Sequence, residues 1–394
     1  LLVANTAPDS GGAFTSVLIN CIAYYNTGTT VNANIDPLSS VTYSCVPGMA
    51  GAGNISAAPQ FLAGSYRLQP SSPCIDKGTN LPSLLAAKDL DGRPRIEGSN
   101  VDMGAYEFGG SAVNDYNANG QSDFPVFNPA DGSWYISSTN RSIITWTNQW
   151  GWSTVKPVPG DYDGDGTWDL AVFDSVGGNW YIKRVNRSII ASPIQWGWNT
   201  VKPVPGDYDG DGVWDLAVFD PVGGNWYIRR VDGTVIVSPA QWGWGSVKPV
   251  PGDYDGDGIW DLAVFDPAGG NWYIRRVDGS VIASPIQWGW STVKPVSGDY
   301  DGDGKYDLAV FDTASGNWFI RRVDGTVIAS PVQWGWSTAK PVPGDYDGDG
   351  KFDLAVYDTA AGYWYVKTVD NRIRVWQAQW GWPGATIPTL EAAQ

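Results

Sequence analysis

The chain has 394 residues, with 41 acidic side chains against 25 basic ones and a formal charge of −16. That balance excludes a nucleic-acid partner, which needs a basic face. The chain has no histidine, which excludes a Ser-His-Asp catalytic arrangement, and no run of 18 apolar residues exists to cross a membrane as a helix.

The 49 glycines, 27 prolines and 23 tryptophans, set among short alternating segments, read as an all-β chain. The first 109 residues contain no tryptophan, and all 23 follow Gly109-Gly110-Ser111. This change of composition places a domain boundary there, dividing 1–109 from 110–394. Cys21, Cys45 and Cys74 all lie in the first part. The count allows one disulfide and one free thiol. Cys21–Cys45 is the preferred pair, because 24 residues is about one coil of a β-solenoid. Asp89-Leu90-Asp91-Gly92 reads as a turn rather than a metal loop. No signal peptide is visible, and Leu1 opens on what reads as mid-domain sequence, so an N-terminal portion is expected before it.

After the boundary, Asp-Tyr-Asp-Gly-Asp-Gly recurs five times at a spacing of 46 residues. Such a period marks a repeat architecture with one supersecondary unit per repeat. Each copy places aspartates at positions 1, 3, 5 and 9. These are Asp161, Asp163, Asp165 and Asp169; Asp207, Asp209, Asp211 and Asp215; Asp253, Asp255, Asp257 and Asp261; Asp299, Asp301, Asp303 and Asp307; and Asp345, Asp347, Asp349 and Asp353. Four carboxylates in nine residues repel one another unless a cation lies between them. Glycines at positions 4 and 6 allow the tight turn that aims alternate side chains inward. Hard oxygen donors at alternate positions suit Ca²⁺, which takes six to eight oxygens in flexible geometry, better than Mg²⁺, which demands an octahedron. Transition metals lack their usual ligands here, since there is no histidine and no cysteine near the loops. Position 7 varies freely (Thr167, Val213, Ile259, Lys305, Lys351), as expected where only the backbone carbonyl is used. A sixth, degraded copy carries Asp115, Asn117, Asn119, Gln121 and Asp123, and is expected to be weaker or empty. Five Ca²⁺ would bring the charge of −16 to about −6, an ordinary surface value. Such loops fill where calcium is plentiful, which places the chain outside a cell.

Each unit divides into four strand candidates. In the unit that begins at Lys202 they are Lys202–Tyr208, Leu216–Asp220, Asn225–Arg230 and Thr234–Trp242, with Asp232-Gly233 as a hairpin turn between the last two. Four antiparallel strands repeated radially describe a β-propeller, here of six blades. The tail Ala385–Leu390 aligns with the Val-Lys-Pro-Val-Pro phrase of the other units. It is expected to supply the inner strand of the first blade and fasten the ring.

Two tryptophan sets recur: Trp134, Trp180, Trp226, Trp272, Trp318 and Trp364, and the Gln-Trp-Gly-Trp pairs from Trp150/Trp152 to Trp380/Trp382. Packing between blades is preferred over sugar platforms, because a repeated core shows this invariance. The pairs Arg229-Arg230, Arg275-Arg276 and Arg321-Arg322 read as solvated strand ends, with one of each pair stacked on a tryptophan. Asn140-Arg141-Ser142 and Asn186-Arg187-Ser188 fit a glycosylation pattern, and a hairpin turn explains them equally well.

The phrase Pro-Val-Pro-Gly-Asp-Tyr-Asp-Gly-Asp-Gly, followed by Asp-Leu-Ala-Val-Phe, Trp-Tyr-Ile and Gln-Trp-Gly, resembles bacterial FG-GAP/VCBS-type repeats across residues 112–390. The resemblance implies a calcium-loaded propeller on an exported protein, although such propellers usually have seven blades. The first 108 residues resemble the C-terminal end of choice-of-anchor Q surface proteins, which carry a right-handed parallel β-helix. That resemblance rests on Val17–Asn26, Gly53–Phe61, Tyr66–Gly78, Asp89–Ile96 and Val101–Phe108. It implies the last coils of such a helix followed by capping segments.

The reading is therefore the end of a parallel β-helix (1–109) followed by a six-unit propeller (110–394). It points to a secreted or cell-surface calcium-binding structural or adhesive protein, not an enzyme, with a protein or glycan partner and scope for self-assembly. The alternatives are a lectin-like module using the Trp/Arg surfaces, and the non-catalytic part of a polysaccharide-degrading enzyme.

Overall fold

The computed structural model describes residues 112–389 continuously. Before them it describes 2–3, 13, 15–27, 34–61, 66, 68, 72–84, 87, 89, 95–96 and 100–107. The Gly109-Gly110-Ser111 boundary, Asp91 and Leu390 lie outside the described residues. The chain forms two compact units, Leu1–Gly110 and Ser111–Gln394. Among the described residues no helix is long and apolar enough to cross a membrane.

The first unit is built on short parallel pairings. Leu2 pairs with Ala23, Val17 with Ser40, and Ile22 with Cys45. Cys45 and Cys74 are buried with Ile22 and Met103. The expected Cys21–Cys45 bridge is not formed, and all three thiols are free. Cys21 instead donates to the Ile19 carbonyl at 3.2 Å, and the neighbour of Cys45 is Cys74, whose hydrogen bond and shared burial push the Cys45 thiol well up. Asp89 accepts from the Glu107 amide at 3.0 Å; the rest of Asp89-Leu90-Asp91-Gly92 lies outside the described residues.

The second unit is a ring of six antiparallel blades. Blade two has strands Lys156–Pro157, Leu170–Asp174, Asn179–Lys183 and Ile189–Gln195; blade three has Lys202–Pro203, Leu216–Asp220, Asn225–Arg229 and Val235–Gln241. Blades four and five repeat this pattern from Lys248 and Lys294, and blade six repeats it from Ala339. Each acidic loop joins the inner strand of its blade to the second strand. The inner strand is shorter than Lys202–Tyr208. After Pro203 only the Val204 amide and a Gly206↔Asp215 bridge continue the pairing, because Pro203 and Pro205 have no N–H to donate.

Blade one has three strands of its own, Phe124–Asn128, Ser133–Ser137 and Ile143–Gln149. The tail completes it as expected: Phe127 and Thr386 exchange both backbone hydrogen bonds, at 2.8 and 2.9 Å. The hairpin reading of the Asn-Arg-Ser segments also fits. Asn186 accepts from the Ser188 amide at 2.9 Å, and Arg187 takes the positive φ of 77° that Gly233 (103°) supplies elsewhere.

Each second strand (Leu-Ala-Val-Phe in blades two to five) is fully buried, and so are Trp134, Trp180, Trp226, Trp272, Trp318 and Trp364. Their Nε1 atoms donate to the carbonyl of the first Gln-Trp-Gly-Trp tryptophan, for example Trp226 to Trp242 at 2.8 Å. Packing therefore accounts for this set. Burying one indole's roughly 200 Å² contributes on the order of 5 kcal/mol before entropy is charged.

Successive blades are tied at their loops. The position-8 amide of each loop donates to the position-1 carbonyl of the loop before it: Trp168 to Asp115, Trp214 to Asp161, Trp260 to Asp207, Tyr306 to Asp253 and Phe352 to Asp299. Ser122 closes the circle on Asp345 at 2.6 Å. The position-8 aromatics also contact one another, with centroids 4.7 Å apart for Trp168–Trp214 and 5.0 Å for Trp214–Trp260. The glycines before four of the loops, Gly160, Gly206, Gly252 and Gly298, are required by this packing. A Cβ on Gly252 would lie 2.1 Å from Tyr306. Gly252→Ala is expected to cost about 1–3 kcal/mol through overpacking, lowering the melting temperature by several degrees in a thermal melt. An unchanged melt would refute this account of the joint.

Candidate metal centres

The loop of blade three shows how each site is built. Gly210 and Gly212 adopt φ of +74° and +79°, a region closed to most L side chains. The turn they make lets Asp207 accept from the Gly210 amide at 2.7 Å and the Gly212 amide at 2.8 Å. Asp211 Oδ1 accepts from Val213 N at 2.9 Å, and Asp215 Oδ2 from Tyr208 N at 2.8 Å. Tyr208, wholly buried, donates its hydroxyl to the Val204 carbonyl at 2.7 Å. The loop is thus folded by hydrogen bonds to one side of its carboxylates.

The other oxygens remain. At position 3 of all five loops the Oδ1 atom (Asp163, Asp209, Asp255, Asp301, Asp347) is buried with no hydrogen-bond partner. Buried polar groups are normally satisfied, and buried charges paired. The structure brings positions 1, 3 and 9 together in four loops: Asp161/Asp163/Asp169, Asp207/Asp209/Asp215, Asp253/Asp255/Asp261 and Asp345/Asp347/Asp353. In the remaining loop it brings Asp299, Asp301 and Asp303 together. The oxygens of each group lie within 4.8 Å of one another, the span one Ca²⁺ bridges at about 2.4 Å to each. Asp165, Asp211, Asp257, Asp349 and Asp307 stand outside these groups. Position 7 is turned so that its amide serves position 5, as Val213 does for Asp211.

The degraded loop resolves its charge differently. The Asn117 side-chain amide donates to both oxygens of Asp123, at 3.1 and 3.2 Å. Asp115 accepts from the amides of Asn117, Asn119 and Gly120. Gln121 reaches across the ring seam to the Asp347 carbonyl at 3.3 Å. An amide nitrogen therefore stands where the other loops present only oxygen.

Burial raises the carboxyl pKa values at positions 1 and 9 of the complete loops. Burial, then neighbouring aspartates, lift Asp169 to about 9 and Asp353 to about 8. Asp215, Asp261 and Asp307 reach about 8, chiefly through burial. Asp161 and Asp345 rise to about 7, and Asp207 and Asp299 to about 6, where amides of the loop offset part of the burial effect. Asp123 is likewise pushed up to about 8 by burial and by Asp115.

The arginines correct the reading of solvated strand ends. Arg230 lies 2.5 Å from Asp209 and 3.1 Å from Asp211. Arg184, Arg276 and Arg322 repeat this on Asp163/Asp165, Asp255/Asp257 and Asp301/Asp303. In blade six, where Thr368 replaces that arginine, Arg374 from the outer strand meets Asp347. Arg184, Arg230, Arg276 and Arg322 cap the outward oxygens of positions 3 and 5, and Arg374 that of position 3 alone; this role was not foreseen. The signal available was the recurrence of a basic residue a fixed 21 residues after position 3, as in Asp209 and Arg230. The other arginine of each pair stacks as expected: Arg229, Arg275 and Arg321 lie 5.4–5.5 Å from the rings of Trp196, Trp242 and Trp288.

The second tryptophan set divides. Trp150, Trp196, Trp242, Trp288 and Trp380 donate Nε1 to a carbonyl of the following blade, so they join blades. Trp152, Trp198, Trp244 and Trp290 are 38–40% exposed, each edge-on to an aromatic ring of the next blade at 5.1 Å.

The fold and loops define a six-bladed β-propeller with an acidic loop in each blade. Residues 253–310 and 299–356 match the model of the FG-GAP-like repeat. No curated protein is matched. Among solved structures, the chain is similar to an Agrocybe aegerita lectin that recognises non-reducing terminal N-acetylglucosamine (17% identity, 72% of this chain, 80% of that chain, TM-score 0.43). It is also similar to virginiamycin B lyase from Staphylococcus aureus (10% identity, 68% of this chain, 87% of that chain, TM-score 0.42). A third likeness is to the V. cholerae biofilm matrix protein Bap1 (17% identity, 65% of this chain, 43% of that chain, TM-score 0.30). Likenesses of this degree carry no functional argument.

Without metal, the folded loops hold protons up to about pH 8 at Asp215, Asp261 and Asp307, whereas an unfolded aspartate releases its proton near 4. The folded chain then binds more protons between these values, so its stability falls as pH rises through that window. The melting temperature in chelator is expected to fall steadily from pH 5 to pH 8. A flat profile would contradict the burial of these carboxyls.

Proposed function

We propose that this is a secreted or cell-surface calcium-binding protein whose propeller is a structural and adhesive module, with no catalytic step of its own. The observation that carries the reading is the buried, unpartnered position-3 oxygen repeated in five loops beside two further carboxylates. The donor set fits Ca²⁺: carboxylates of positions 1, 3, 5 and 9 and the carbonyl of position 7 would hold it, all hard oxygens. The ion would neutralise carboxylates that the chain must otherwise bury protonated, and would join the inner and second strands of each blade. Since the loops are hydrogen-bonded to one another, five ions would stiffen the ring as a whole. The sixth loop is read as metal-free, with the Asn117 amide in place of the ion. The parallel pairings Leu2↔Ala23, Ala13↔Ile35, Val17↔Ser40 and Ile22↔Cys45, whose partners stand 21–23 positions apart, support the further reading that the first unit is the end of a parallel β-helix, although Cys45↔Ile55 spans only 10.

The test is Asp209→Ala. With calcium, the variant should melt well below the wild type. In chelator it should melt at or above it, because one of several repelling carboxyls is gone. Equal melting temperatures in calcium would sink the assignment.

The exposure of Trp152, Trp198, Trp244 and Trp290 favours a second reading, in which the rim between blades stacks against sugar rings. A glycan array probed with calcium and after chelation decides between the readings. Chelation-sensitive binding that is lost in Trp244→Ala supports a lectin-like rim. Binding to no glycan in either condition leaves a structural module with a protein partner, possible self-assembly included.

A further inference from the structure

The six interfaces between blades are not alike at the rim. The 46-residue period aligns Trp146 with Ser192, Ser238, Ser284, Ser330 and Trp376 on the outer strands. This position lies in the bulge that faces the aromatic residue of the middle strand, Tyr135 in blade one and Tyr227 in blade three. In blade one Trp146 packs perpendicular to Tyr135, with centroids 5.1 Å apart, and reaches Trp380 of blade six at 5.6 Å. In blade six Trp376 packs in the same way on Tyr365 at 5.3 Å and reaches Trp334 of blade five at 6.0 Å. Tyr135 thus contacts two indoles, Trp146 and Trp382, and Tyr365 contacts Trp376 and Trp336.

Where serine stands, one indole is gone. Tyr227, Tyr273 and Phe319 each meet a single tryptophan among the described residues, Trp198, Trp244 and Trp290, at 5.1 Å. Ser238, Ser284 and Ser330 are exposed, as are these three tryptophans, whereas Trp336 and Trp382 beside the two extra indoles are half-buried. A cation flanks each of the three places. Arg229, Arg275 and Arg321 lie over Trp196, Trp242 and Trp288 and form no ion pair among the described residues. Arg229 and Arg321 donate Nε to the carbonyl of the next residue at 3.3 Å, and Arg275 Nε is buried with no hydrogen-bond partner. Asp232, Asp278 and Asp324 in the following turns feel these charges, but accept from the amides of Thr234, Ser280 and Thr326. Beneath Trp376 the same pattern is complete: Lys367 lies 5.0 Å from the Trp334 ring, so a flat ring and a cation share one indole. Lys183 of blade two is committed to the Gln149 carbonyl at 3.0 Å.

We infer that the interfaces carrying Arg229, Arg275 and Arg321 are sites for a pyranose ring that bears a carboxylate, a uronic acid unit, lying where Trp146 and Trp376 lie in the other two. The inference rests on the second reading above, a lectin-like rim, and names its ligand class. The C–H groups of a pyranose are weakly positive and suit the negative face of an indole or tyrosine ring. The guanidinium offers paired donors that match a carboxylate, and a neutral sugar would leave them unused. Because the sites recur in successive blades, a polymer of such units would gain by avidity. The alternative is that each arginine only joins two blades through its tryptophan.

The test titrates the full chain in calcium with methyl glucuronide and, separately, with uncharged methyl glucoside, following the indole N–H signals of Trp198, Trp244 and Trp290 by NMR. Saturable shifts are expected with the glucuronide, and binding of the glucoside about tenfold weaker or more. Arg229→Gln/Arg275→Gln/Arg321→Gln should bind the glucuronide no better than the glucoside. Ser238→Trp/Ser284→Trp/Ser330→Trp copies the arrangement of blades one and six at exposed positions. It should keep the wild-type melting temperature and lose the shifts, so the test stands even if the arginine variant folds poorly. Trp376→Ala should open a further site beside Lys367, read as a new glucuronide-dependent shift of Trp336. Equal binding of the two sugars overturns the inference and leaves a lectin-like rim of another specificity. Glucuronide binding that survives the three serine-to-tryptophan changes also overturns it, because the ligand then lies elsewhere. Binding of neither sugar overturns it too, and a glycan array that is blank as well removes the lectin-like reading with it.

Discussion

A carboxylate placed where neither water nor a donor reaches one of its oxygens is the constraint on which the propeller depends. Asp209 Oδ1 is such a group, and its counterparts recur in five blades. The loop cannot relax to release it, because Asp207 and Asp215 are already committed to the backbone amides that fold the turn. The guanidinium of Arg230 removes part of the charge from outside, but approaches the far oxygens and leaves the inner one alone. What remains is a fixed oxygen cage whose charge must be met by a proton or by a cation.

The cages are not independent. A backbone amide of each loop donates to the first residue of the loop before it, and the aromatic residues at the same position meet edge to face, as Trp168, Trp214 and Trp260 do. A change in one loop therefore acts on a neighbour's backbone as well as on its own blade. This coupling explains why a glycine whose φ is unremarkable cannot vary. Gly252 is needed for the space that Tyr306 occupies, not for its own torsion angles.

Much of this was legible in the sequence. The 46-residue period, the strand Leu216–Asp220 and the closing role of the tail follow from pattern alone. The pattern placed the carboxylates of positions 1, 3, 5 and 9 in one site, whereas the structure gathers 1, 3 and 9 in four loops and 1, 3 and 5 in the other. What could not be read is what depends on distant partners. Arg230 looks like any charged strand end until the loop folds over it, and Asn117 looks like a lost ligand until its amide is found on Asp123. The inner strand was read too long, because apolar alternation is the same whether or not Pro203 and Pro205 can donate to a ladder. The Cys21–Cys45 pairing failed because coil length fixes which residues stack, not which side chains turn toward each other.

The seam between blades six and one has a further consequence. Five units are close to interchangeable, and identical units carry no instruction about where to stop. A chain of them could close at the wrong number, or pass its last strand to another molecule and continue as a fibre. At the seam the parts are individual. Ser122 replaces the aromatic, Gln121 reaches to the Asp347 carbonyl, Asn117 replaces an aspartate, and Thr386 meets Phe127 where every other blade has a lysine. These odd residues work as a matched clasp: each end of the ring recognises only the other, and the blade number is counted by mismatch everywhere else.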